Sequence, residues 1–221
     1  MRPIISVKTI INQNRIFLAF YLLFIITGGV LLLLTSKHDL HIALNQYHHN
    51  LLDPLFYYAT YLGDGIMALL VFIIFLSVKY RYALLIGISN LFSAGVTQLL
   101  KHTVFDDVTR PKKFFEGIHD LYLVPGVDNY YFNSFPSGHT TCAFSLYFSL
   151  ALITKNKSIE LLLFFIAIMV GYSRVYLSQH FFEDIYAGSL VGVLFTIPVY
   201  CFIQQSNKAW LDKSVLHFFN K

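Results

Sequence analysis

The sequence predicts an all-α, polytopic membrane protein with six transmembrane helices, an interfacial helix between the first two spans, and an active site at the extracytoplasmic face. Three observations predict it. Of 221 residues, 56% are hydrophobic and 13% charged, and mean hydropathy is +0.60, which leaves too few charges to cover a water-soluble surface. The apolar residues form long runs, and the charged ones cluster between them. Three polar clusters fall at helix ends that a six-span topology brings to one side. With no internal repeat or low-complexity tract, residues 1–221 read as a single integral-membrane domain.

The first run, 16–35, follows Arg2, Lys8 and Arg15 and superficially resembles a signal peptide. It is too long for one: a signal core spans about 7–15 residues, whereas this run has the roughly 20 needed to cross a bilayer. Further spans are expected at 65–78, 82–100, 140–154, 161–177 and 185–203. The second and fourth are short and must borrow flanking residues or lie among neighbours. Between the first two spans, residues 38–61 mix polar groups with leucine, tyrosine and histidine, a composition suited to a helix at headgroup level. His38, His41, His48 and His49 are metal-like by number, but their spacing matches no metal site. Cys142 and Cys201 lie inside apolar runs without the pairing of a disulfide or zinc framework.

The basic residues set the orientation. With the N-terminus in the cytoplasm, ten of the sixteen lysines and arginines lie inside: Arg2, Lys8, Arg15, Lys79, Arg81, Lys155, Lys157, Lys208, Lys213 and Lys221. Lys37, Lys101, Arg110, Lys112, Lys113 and Arg174 lie outside. Both termini are therefore expected in the cytoplasm. The net charge of +4 includes no dense basic run, which argues against nucleic acid as a partner.

The outer face then collects Lys101 with Arg110-Pro111, Pro136-Ser137-Gly138-His139, and Ser173-Arg174 followed by His180 and Asp184. Lys101, Arg110 and Arg174 suit a multiply charged oxyanion, the guanidinium forks binding it in bidentate fashion. Ser137 and Gly138 precede the fourth span, where helix N-terminal amides favour an anion. His180 and Asp184 are four apart and share a face if they open the sixth helix. A carboxylate on one imidazole nitrogen fixes the tautomer and frees the other nitrogen to attack phosphorus. His139 remains as the proton donor to the leaving oxygen. Plainer readings exist: Arg174 as an interfacial anchor, Asp184 as helix N-terminal charge, and Lys112 and Lys113 as solvated charge rather than a second phosphate site.

The pattern resembles the type 2 phosphatidic acid phosphatase superfamily. Its membrane members have six spans and three motifs: lysine with Arg-Pro, Pro-Ser-Gly-His, and Ser-Arg-x5-His-x3-Asp. The second and third match with unaltered spacing; in the first, eight residues separate Lys101 from Arg110, against six in the commonest form. The resemblance implies His180 as nucleophile, Asp184 as its orienting partner and His139 as general acid. Lys101, Arg110, Ser137, Gly138 and Arg174 would hold the phosphate, with no metal or organic cofactor. It implies a lipid phosphatase of the bacterial inner (cytoplasmic) membrane, acting on a phosphomonoester or diphosphate such as undecaprenyl diphosphate, phosphatidic acid, phosphatidylglycerol phosphate or lipid A phosphate. Rival readings are a lipid-to-lipid phosphotransferase, a non-catalytic transporter and a vanadate-dependent peroxidase. The transporter fits less well because no distinctive polar residue lies in the middle of a span.

Overall fold

The structure is a computed structural model that describes residues 6–219. Arg2 and Lys221, both counted in the charge topology, lie outside the described residues. Among those described, the secondary structure is helical, with no strand. Helix α1 (Val7–Gln13) is capped by the Ser6 side chain, and α2 (Arg15–Leu34) takes the place of the first apolar run. Helices α3 (Lys37–Asn45) and α4 (Leu52–Ala59) follow, and α4 continues as a 3-10 turn, Thr60–Gly63. Then come α5 (Gly65–Val78), α6 (Tyr80–Thr103), the short α7 (Pro111–Phe115), α8 (Gly138–Ile153), α9 (Lys157–Tyr176) and α10 (Phe182–Gln205). A 3-10 turn, Ala209–Asp212, and α11 (Leu216–Phe219) complete the order.

Helices occur at all six expected runs, but among the described residues only α2, α6, α9 and α10 are by themselves long and apolar enough to cross a membrane. The segment before α5 meets it at a 55° bend, and the pair together makes a fifth candidate span. Helix α8 has 16 residues, and eleven of them are buried. That burial explains its length and its serines and threonines, since its surroundings are other helices rather than lipid. Thr97 of α6 donates to Thr141 Oγ1 (3.0 Å), and Ser145 bonds Thr196 of α10 (3.0 Å).

Helix α10 approaches α8 through Gly188 and Gly192. A Cβ at either would stand 2.7 Å from a backbone oxygen, of Ser137 and Thr141 respectively. Small residues four apart let two helix backbones come this close. The contact brings the start of α10, with Asp184, against the start of α8, with Ser137. Around it, rings from α2 and α9 fill the core, Phe17 lying 5.1 Å from Phe148 and 5.7 Å from Phe164.

The single helix expected over 38–61 is broken at 46–51. His48 Nδ1 donates to Asn45 O (3.0 Å) and His49 Nδ1 accepts from Leu51 N (3.2 Å), so side chains take backbone groups that a continuous helix would pair. At the opposite end of the bundle the charges are locked together. Arg81, 1% exposed, donates from Nε and a terminal nitrogen to the two oxygens of Asp212 (3.1 and 3.2 Å), which Lys79 also reaches at 2.9 Å. These bonds hold the Asp212 carboxyl well below the usual carboxylate range. Lys157 reaches both Gln13 O and Glu160, and Ile16 N donates to Glu160 Oε2 (3.3 Å), so both described chain ends gather there.

Candidate active site

The expectation that His180 and Asp184 share one helical face is corrected in detail. Helix α10 begins at Phe182, so His180 lies in the connection before it, and Asp184 is the third residue of the helix. The two meet because Asp184 reaches back to the helix start: its Oδ2 accepts from Phe181 N (2.9 Å), Ser134 Oγ (2.5 Å) and His180 Nδ1 (3.1 Å). A carboxylate facing three donors accepts from the imidazole, which puts the proton on Nδ1. His180 Nε2 then carries the lone pair, and Arg110 donates to it at 3.3 Å. His180 is 2% exposed, and burial, followed by the charges of Arg110, Arg174 and Lys101, pushes its pKa well below the ordinary imidazole value. Both effects favour the neutral ring.

Lys101, Arg110 and Arg174 converge on the same point although their sequence positions are far apart. Lys101 Nζ donates to Asn133 O (2.8 Å), and Arg110 donates to Asn133 O (3.3 Å), Phe132 O (2.9 Å) and Gln179 O (3.0 Å). Arg174 donates to Thr60 Oγ1, and its Nε has no protein partner. Each cation is at most 8% exposed, and these hydrogen-bond partners are all neutral. Buried charges are normally paired, so three cations that hydrogen-bond only neutral groups are an arrangement able to receive an anion. The two additional residues in the first motif are absorbed between α6 and α7, and Lys101 and Arg110 still share the Asn133 carbonyl.

The helix-terminal amides divide. Ser137 N donates to Asp184 O (2.9 Å), and its hydroxyl caps α8 by accepting from Thr140 N (3.4 Å) and Thr140 Oγ1 (2.9 Å). Ser137 therefore joins the starts of α8 and α10, and Gly138, with nothing beyond its chain neighbours and its own helix within 4 Å of where a Cβ would stand, is the one beside open space. His139 opens α8 and faces the same cations, its Nε2 lying 4.0 Å from Asp64 Oδ2.

A sequence model described as the PAP2 superfamily matches residues 79–208. The chain belongs to that superfamily. It is similar to the lipid A 4'-phosphatase of Porphyromonas gingivalis, 29% identical over 187 residues that cover 82% of this chain and 79% of that protein. The undecaprenyl-diphosphatase BcrC of Bacillus subtilis is 24% identical over 153 residues, 67% of this chain and 74% of that one. Among solved structures, LpxE of Aquifex aeolicus superposes with a TM-score of 0.65 at 26% identity, covering 73% of this chain and 92% of its own.

The candidate site also contains residues that the motifs do not mark. Ser134 holds Asp184, the carbonyls of Phe132 and Asn133 hold Lys101 and Arg110, and Thr60 holds Arg174. Only Asp64, an acidic residue heading an apolar run, left a signal in the sequence, and that signal reads equally well as a helix cap. The histidines of 38–49 have packing partners. His38 stacks on Phe114 (3.7 Å), His41 lies between Phe115 and Phe181 with Nε2 3.3 Å from Ser178 Oγ, and His48 stacks on Tyr122 (3.6 Å). Together they fasten α3 and the following turn over the connection that carries His180. Beside His139 opens an apolar groove of about 510 Å³ between α5, α6 and α8, with Asp64 and Gly138 at one end and Phe72 and Leu84 at the other.

Proposed function

We propose that this chain removes phosphate from a phosphomonoester or diphosphate of a membrane lipid through a phosphohistidine on His180. The protein is a PAP2 lipid phosphatase, a hydrolase of an integral membrane. The observation that carries the mechanism is the buried Lys101, Arg110 and Arg174 with neutral partners, converging where the free Nε2 of His180 points. In the first step the Nε2 lone pair forms a bond to phosphorus as the bond to the lipid oxygen breaks. His139 gives that oxygen a proton, and the cations and Gly138 N–H balance the charge on the equatorial oxygens. In the second step water attacks the phosphohistidine, passes its proton to His139, and leaves inorganic phosphate and neutral His180. Asp184 fixes the tautomer and offsets the positive charge that grows on the ring.

The groove supports a lipid substrate reached from the side. From Thr97 to Leu84 it follows α6 for about 20 Å at 1.5 Å per residue, more than half of a hydrocarbon core of about 30 Å. A lipid chain fills such a slot, with the headgroup phosphate at His139. Among substrate classes, the lipid A 4'-phosphatase and undecaprenyl-diphosphatase relatives favour a saccharolipid phosphate or a polyprenyl diphosphate. The chain reads as one domain of six membrane-spanning helices, α2, α5, α6, α8, α9 and α10. Both termini lie in the cytoplasm and the site faces the exterior of the bacterial inner membrane.

Substrates with different leaving groups separate the two histidines. His180→Ala should turn over neither a lipid phosphate nor 4-nitrophenyl phosphate, and no phosphohistidine should be trapped by rapid quench. His139→Ala should still form the phosphohistidine from the aryl phosphate, with a burst of nitrophenolate because that oxide leaves without a proton, while phosphohistidine formation from a lipid phosphate falls by about 10²–10⁴-fold. A nitrophenolate burst in His180→Ala but not in His139→Ala would reverse the two assignments.

A further inference from the structure

His139 must carry a proton to act as an acid, yet it stands among cations. The charged and titratable groups that face it are Lys101 from α6, Arg110 ahead of α7, Arg174 from α9, His180 ahead of α10, and Asp64 at the head of α5. The positive charges of Lys101, Arg110 and Arg174 all disfavour an imidazolium, and Asp64 is the carboxylate among these neighbours. We propose that Asp64 is a positioning residue for His139, its carboxylate holding the imidazole in place and in the charged form that protonates the leaving oxygen. The proposal rests on the phosphatase reading above and adds a second carboxylate–histidine pair to the one formed by Asp184 and His180.

The placement of Asp64 is specified by the fold at several points. Its Oδ1 caps α5 by accepting from Ile66 N (3.0 Å), which turns Oδ2 toward His139 Nε2, 4.0 Å away. The backbone on either side of Gly63 is fastened to α8: Tyr147 O–H donates to Leu62 O (2.9 Å) and the Cys142 thiol to Asp64 O (3.6 Å). Gly63 makes this approach possible, since a Cβ there would stand 2.8 Å from the His139 carbonyl and 2.4 Å from Val170 Cγ1. A cap alone requires none of these ties to α8. With the carboxylate and imidazole each about one-third exposed on the groove wall, a leaving alcohol in the groove would be within reach of the same ring.

The test removes the charge and keeps the cap. Asp64→Asn and Asp64→Ser both retain a side-chain oxygen for Ile66 N–H. Each purified full-length variant is assayed against pH with phosphatidic acid and with 4-nitrophenyl phosphate in lipid–detergent micelles. The expected result on phosphatidic acid is a kcat about tenfold lower at pH 7.5, with the alkaline limb moved down by about one pH unit. On the aryl phosphate the loss stays below about threefold, because that leaving group needs no proton. In a His139→Ala background, adding Asp64→Asn should cost nothing further. An unmoved alkaline limb, an equal loss on both substrates, or an additive loss in the His139→Ala background would each overturn the role of Asp64. A wild-type protein that releases no phosphate from these two substrates, from lipid A or from undecaprenyl diphosphate overturns instead the phosphatase reading beneath it.

Discussion

At the residue scale the site depends on one carboxylate oxygen. Asp184 Oδ2 receives Ser134 Oγ, Phe181 N and His180 Nδ1, while Oδ1 is buried without a hydrogen-bond partner. Asp184→Asn replaces a charge that in the proposed mechanism offsets the growing imidazolium with an amide whose N–H₂ can turn toward His180 and favour the wrong tautomer. Turnover should fall by about three to four orders of magnitude with the fold intact. Ser134→Ala removes one of the three donors and leaves the charge, so its loss should be nearer tenfold, roughly one hydrogen bond to a charged group. Steady-state phosphate release and circular dichroism check both variants; equal losses in the two would mean that geometry rather than charge is what Asp184 supplies. The residues in this network differ in how visible they are in the sequence. His180 and Asp184 belong to a spaced motif, because imidazole and carboxylate chemistry allow few substitutes. Phe132 and Asn133 contribute carbonyl oxygens, which any residue can supply, and Ser134 is one serine among many. Nothing in their side chains announces the role.

At the element scale, apolar runs located the helices well, because the period and length of a span are written in hydropathy. What they could not reveal was the bend before α5, or the break at 46–51 where His48 and His49 take over backbone groups. Helix α3 packs on the connection that carries His180, and His41 is its most deeply placed polar group, 1% exposed between Phe115 and Phe181. Burial, then the neighbouring His38, lowers the His41 pKa to about 4. Between pH 4 and 6.5 the unfolded chain binds a proton at this residue that the folded one refuses, so stability rises with pH across that window. The contribution is fully present above about pH 6.5 and is lost as pH falls toward 4. The shift of about two units and a half is worth on the order of 3 kcal/mol. The thermal midpoint in micelles should therefore fall by several degrees between pH 7 and pH 5, and His41→Phe, which keeps an aromatic ring but cannot titrate, should flatten that slope. An identical slope in the variant would show that other groups carry the acid sensitivity.

At the scale of the whole molecule, the two ends of the bundle use charge for different purposes. At the site end, Lys101, Arg110 and Arg174 are buried and hydrogen-bond neutral groups. At the other end Arg81 and Lys79 share Asp212, and Lys157 shares Glu160. In the proposed topology Lys79, Arg81, Lys155 and Lys157 would hold both intervening turns on the cytoplasmic side, and the His180 face would go outward. Green fluorescent protein fused after Lys221 should fluoresce, while alkaline phosphatase fused there should be inactive. The same alkaline phosphatase fused after Gly117, in the long connection between α7 and α8, should be active. Right-side-out vesicles should hydrolyse an impermeant aryl phosphate added from outside, at a rate that permeabilising the membrane does not raise. Replacing Lys79, Arg81, Lys155 and Lys157 together by glutamine should mix the orientations, since these turns carry much of the inside excess. A fluorescent fusion after Gly117, or latent hydrolysis released only by detergent, would place the phosphate-binding cations inside the cell and require a substrate in the inner leaflet.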